Sequence, residues 1–114
     1  MDAQKRQQMK EAYQKRVSAG GVYVIENTVT GKKLLLAETD LTGAENRFRF
    51  MQMTGSCPNQ KLRFAWKESG PQAFRFQVLE RLEQGEDQTR EEFLEELKLL
   101  GELWREKFDG NMLY

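Results

Sequence analysis

The stretch from Val22 to Ala37 limits the possible folds more than any other part of the sequence. Val22-Tyr23-Val24-Ile25-Glu26 is a β-branched and aromatic run, and Lys33-Leu34-Leu35-Leu36-Ala37 is a second apolar run. Residues of these kinds favour strands. Asn27-Thr28-Val29-Thr30-Gly31-Lys32 joins the two runs, and Gly31 can take the positive φ that a tight connection requires. The two strands therefore form an antiparallel hairpin. Phe74-Arg75-Phe76-Gln77-Val78-Leu79 alternates and reads as a third strand.

Helices account for the rest. Asp2–Ser18 carries Met9, Tyr13 and Val17 at four-residue spacing among Gln, Lys, Arg and Glu, and Gly20-Gly21 ends that segment. Thr39 or Asp40 caps a helix over roughly 41–53, with Leu41, Ala44, Phe48 and Met51 on one side. Pro58 suits the first turn of another, which carries Leu62, Ala65 and Trp66 and stops near Gly70-Pro71. Thr89 with Glu92 forms a capping box for a long last helix, whose apolar stripe is Phe93, Leu97, Leu100, Trp104 and Phe108. The expected class is α+β: a three-stranded antiparallel sheet flanked by helices, residues 20–114, with an extra N-terminal helix over 1–19.

Composition narrows the chemistry. A chain of 114 residues makes one domain and buries roughly two-thirds of its unfolded surface. It holds no histidine and one cysteine, Cys57. That argues against zinc and iron–sulfur sites, histidine-based triads and an internal disulfide, and it fits a reducing, cytoplasmic setting. Met1–Arg16 is polar and charged, and the longest apolar run, Leu34–Ala37, is far too short to cross a membrane. Net charge is zero but unevenly placed: residues 1–79 carry 13 Lys and Arg against 7 Asp and Glu, and residues 80–114 carry 5 against 11. The basic part suits phosphate and the acidic part repels it, although two solvated faces would give the same numbers.

Gly21-Val22-Tyr23, Asn27, Gly31-Lys32 and the strand at Leu34-Leu35-Leu36 together resemble the opening hairpin of the GIY-YIG nuclease family. There a Gly-Ile/Val-Tyr strand leads, across an Asn…Gly-Lys turn, into a Tyr-Ile-Gly strand. Asn46-Arg47 lies where that family places its arginine. Ser56-Cys57-Pro58-Asn59, Leu62, Trp66 and Ala73-Phe74 resemble a bacterial subgroup of small GIY-YIG proteins. The likeness spans roughly residues 20–108 and rests on joint spacing rather than on any one motif.

The resemblance implies metal-assisted phosphodiester hydrolysis, with magnesium or manganese as the cofactor of an active member. A tyrosine handles the proton of the attacking water, an arginine binds phosphate, and a glutamate on the last helix holds the metal. Tyr23 and Arg47 match the first two. Leu34 and Leu36 replace the tyrosine and glycine of the second strand. The position three before Trp104, where the metal glutamate belongs, is Gly101. Glu102 is its neighbour, turned by about 100° around the helix. No metal is therefore expected, and the chain reads as a nuclease-like domain with a degenerate site, inactive or strongly impaired, that serves as a nucleic-acid-binding or regulatory module. Lys32, Arg47 and Arg49 are its candidate nucleic-acid contacts.

Two other readings stand beside that one: a metal-dependent endonuclease with a rearranged site built from Tyr23, Arg47 and Glu102 or another nearby acid, and a protein-binding module docking through the N-terminal or the acidic last helix. Trp66 and Trp104 read as core anchors rather than base-stacking platforms.

Overall fold

A computed structural model describes residues 19–114. The helix expected over 2–18 lies outside the described residues. Three strands, β1 (Ala19–Asn27), β2 (Lys33–Glu38) and β3 (Phe74–Glu83), form one antiparallel sheet in the order β2-β1-β3. Three α-helices follow the expected order: α1 (Leu41–Thr54), α2 (Arg63–Ser69) and α3 (Arg90–Glu106). The α+β class and the three-stranded sheet are as the sequence implied. Among the described residues, no helix is long and apolar enough to cross a membrane.

β1 is the middle strand and is covered on both faces, which is why its residues are apolar almost without interruption. Tyr23, Ile25 and Leu34 point to one face. There they meet Leu41, Ala44 and Phe48 of α1, Leu62 and Trp66 around α2, and Phe74. Val22, Val24 and Leu35 point to the other face, against Leu100 and Trp104 of α3 with Phe108 and Leu113. Side chains alternate along a strand, so one residue of register decides which helical layer a β1 residue joins.

The helix starts are fixed as their capping residues imply. The Asp40 side chain accepts from the Gly43 amide at 3.0 Å. Thr89 and Glu92 make both halves of the capping box. The start near α2 differs from expectation. Asn59, not Pro58, is the cap, accepting from the Lys61 amide at 2.9 Å, and a 3-10 turn over Gln60–Leu62 precedes α2.

Two strands run longer than their apolar runs suggest. β1 begins at Ala19, so Gly20 and Gly21 lie inside it, and β3 continues to Glu83. A bulge between Val22 and Tyr23 sets two residues of β3 against one step of β1: Val22 pairs with Glu80 and Tyr23 with Val78. The bulge shifts the phase of alternation in β3. Its charged extension, Glu80, Arg81 and Glu83, keeps this edge polar.

The turn is organised around Asn27, which is buried. Its Oδ1 accepts from the Val29 amide at 3.0 Å, and its Nδ2 donates to the Tyr114 hydroxyl at 3.1 Å. Gly31 takes φ 78°, as the turn requires.

Candidate active site

Tyr23 and Arg47, far apart in sequence, come together at one end of β2. Tyr23 projects from the middle strand towards α1, and its ring stacks on Phe76 at 4.6 Å between centroids. Arg47 lies one residue before the inward-facing Phe48, so it emerges at the flank of α1 rather than beneath it.

Between them stands Glu38, the last residue of β2. The Tyr23 hydroxyl donates to Glu38 Oε2 at 2.8 Å. Arg47 Nη2 donates to Glu38 Oε1 at 2.7 Å and Oε2 at 2.8 Å. A single guanidinium nitrogen serves both carboxylate oxygens, so among the described residues Nε and Nη1 keep no protein acceptor. Leu36, Met51, Pro58 and Asn59 complete the wall of this hollow, about 200 Å³ in volume.

Glu38 was not singled out from the sequence, yet a signal for it exists. Leu34 and Leu36 face the Tyr23 side, and period-two alternation carries Glu38 to that side as well.

This network sets the state of Tyr23. Burial pushes its phenol well above the ordinary tyrosine range, and the Glu38 carboxylate adds to the rise by accepting its hydrogen bond and by its charge. Arg47 works in the opposite direction without reversing the shift. Tyr23 is therefore held as a neutral hydrogen-bond donor, not as a base.

Around the edge of β2 lies a second hollow of about 460 Å³, between that strand and α3. Leu36 and Glu38 belong to both hollows, so the two adjoin. Gly101 and Glu102 line this side, together with Lys98 and Arg105. Gly101 is buried, but packing does not require a glycine there. A Cβ at this position would meet only the Ala37 Cβ, at 3.6 Å, an ordinary contact. Gly101→Ala should therefore stabilise the domain by about 0.5–1 kcal/mol, the helix-interior cost of glycine. Urea unfolding measures this, and a loss of stability would show that α3 needs to approach the sheet more closely than the contact implies.

The residues present do not fit the metal site that the resemblance implies. Gly101 offers no ligand atom, and both oxygens of Glu38 are engaged by Arg47. Among the described residues no three His, Cys, Asp or Glu side chains converge. Glu102 is an exposed carboxylate at the rim of the second hollow.

The other candidate contacts are dispersed. Arg49 is paired with Glu45 at 2.7 Å on the outside of α1. Lys32 sits in the hairpin turn, with Nζ 5.1 Å from the Tyr114 ring centroid. That turn is at the opposite end of β2 from Glu38, roughly 17 Å away at strand rise, so Lys32 does not share the Arg47 hollow.

The sequence matches no family model and no curated protein. Solved structures do match. A point mutant of the catalytic domain of the intron endonuclease I-TevI aligns over 78% of this chain and 82% of its own, with TM-score 0.57 and 17% identity. The catalytic domain of the homing endonuclease I-TevI aligns over 77% and 86%, with TM-score 0.56 and 20% identity. At such identities the likeness is one of fold, and it agrees with the hairpin and with the order of helices and strands: the chain has a GIY-YIG-like nuclease fold.

Proposed function

We propose that this domain binds nucleic acid through the Arg47 hollow and does not cleave it. The carrying observation is the closed Tyr23–Glu38–Arg47 network. It places a carboxylate against the arginine of this hollow, the group that would meet a phosphate there, and it fixes the tyrosine as a donor. Arg47 keeps two guanidinium nitrogens for an incoming phosphate oxygen, which supports binding. Hydrolysis also calls for charge stabilisation worth several kcal/mol from a bound metal, and Gly101 supplies no ligand for one.

The test uses supercoiled plasmid, linear duplex and single-stranded DNA with Mg²⁺ or Mn²⁺, beside Arg47→Ala. Neither protein should cleave. The parent should retain labelled DNA with an affinity that falls steeply as salt rises, because the contacts are cationic. Cleavage by the parent that disappears in Arg47→Ala would overturn this reading in favour of an active site using Glu102, the carboxylate that lines the adjoining hollow.

A further inference from the structure

The uneven charge of the sequence becomes a difference between the two sides of the sheet. The segment holding α1 and α2, residues 41–73, carries five Lys and Arg against two Asp and Glu, whereas α3 carries three against six. These layers cover opposite faces of the sheet, so one side of the molecule is basic and the other acidic.

The basic side also bears large exposed apolar groups. Phe50 is 59% exposed, Met53 84% and Phe64 78%. Phe48 and Trp66 show where these side chains point. Those two rings meet edge to face, 6.2 Å between centroids, on the inner surface of the layer. Phe50 follows Phe48 by two residues and Phe64 precedes Trp66 by two. Two residues rotate a helical side chain by roughly 200°, so both phenylalanines face outward from the same layer. Phe50 is also one turn from Arg47, which puts the two side chains side by side. Exposed Lys61, Arg63 and Lys67 surround Phe64 in sequence, and none forms an ion pair among the described residues.

We infer that the outer face of α1 and α2 is a binding surface for unpaired bases. Phe50 and Phe64 act as stacking platforms, while Arg47, Lys61, Arg63 and Lys67 hold the phosphates between them. Base faces stack on aromatic rings whatever the base, whereas duplex DNA keeps its base faces hidden. A basic surface with two exposed rings therefore suits single strands, loops or frayed ends. Charge complementarity argues for nucleic acid on this side and against it on the α3 side. This inference rests on the proposed function and specifies the form of nucleic acid and the second part of its contact surface.

Fluorescence anisotropy with a labelled oligothymidylate and with a duplex of the same length provides the test, on the full chain and on Phe50→Ala, Phe64→Ala, Lys67→Glu and Arg47→Ala. The single strand should bind more tightly. Each Phe→Ala change should weaken single-strand binding about 5-fold or more while altering duplex binding less than about twofold. Lys67→Glu should weaken both probes and flatten the salt dependence.

Unchanged single-strand binding in both Phe variants, with binding still lost in Arg47→Ala, overturns the stacking surface and leaves the proposed function intact. Absence of binding to either probe at low salt overturns the proposed function itself. Sedimentation of the same proteins covers the remaining occupant. An oligomer that Phe50→Ala or Phe64→Ala dissolves, with DNA binding unchanged, would assign this face to the acidic, leucine-bearing α3 of a second copy.

Discussion

Gly21→Ala should lower the stability of the domain by about 3 kcal/mol, a mechanism-specific loss at the upper end of ordinary point mutations. For a domain of this size that is a fall of roughly 15 °C in melting temperature. Two independent features of the position add up here. Gly21 has φ 152°, which L residues rarely adopt, and a Cβ would lie 2.1 Å from the Glu80 carbonyl oxygen of β3. The clash is with backbone, so no rotamer change relieves it. Gly21 also pairs with Glu38 of β2 and Arg81 of β3, so the sheet would have to part at the base of the Tyr23–Glu38 contact. Thermal unfolding followed by circular dichroism measures the effect. A change within about 3 °C would show that the bulge beside Gly21 absorbs the methyl group.

The same position shows what the sequence could and could not disclose. The run Val22–Glu26, the turn at Gly31 and the caps Asp40 and Thr89 each act locally, so the elements they define follow from the residues alone. Gly20-Gly21 reads locally as a helix stop. Only the approach of β3 makes Gly21 a strand residue, and nothing nearby in sequence announces a partner almost sixty positions away. The far end of β3 was hidden for the same reason, because the bulge breaks the alternation that would have extended it.

The candidate site divides in a similar way. Tyr23 and Arg47 were visible through the spacing of the resemblance. Glu38 was visible only to someone following the face of β2 rather than a family motif. The room around Gly101 could not be read at all, because it depends on how far α3 stands from Ala37. Phe50 and Phe64 look in sequence like ordinary helix residues, and only the burial of Phe48 and Trp66, two positions away in each helix, shows that they face outward.

Glu38→Gln should tighten nucleic-acid binding about 5- to 10-fold at moderate salt and leave the fold intact. The Glu38–Arg47 pair is partly exposed, with side-chain exposures of 34% and 59%, so its own contribution to stability is small, on the order of 0–1 kcal/mol. The carboxylate nevertheless lies against the guanidinium that a phosphate would approach. Removing a like charge at that range in a mostly solvated setting is worth roughly 1 kcal/mol to the incoming anion. The glutamine amide oxygen can still accept from Tyr23, which keeps the ring in place. The gain should vanish in Glu38→Gln with Arg47→Ala, because without that guanidinium the phosphate is no longer drawn next to position 38.

The same variant carries a second readout in the pH dependence of Tyr23. In the parent, burial and Glu38 raise the phenol above its unfolded value of about 10. The folded state therefore holds its proton longer, contributing stability that is fully present below about pH 10 and lost as pH rises through the higher folded value. In Glu38→Gln the carboxylate charge is gone while burial and a neutral hydrogen-bond acceptor remain, so the phenolate band of Tyr23, isolated by difference against Tyr23→Phe, should appear at lower pH than in the parent. Tighter binding without that shift would mean that Glu38 repels the ligand from elsewhere than the Tyr23 contact. The shift without tighter binding would mean that phosphate does not reach Arg47, and the hollow would lose its claim as a nucleic-acid site.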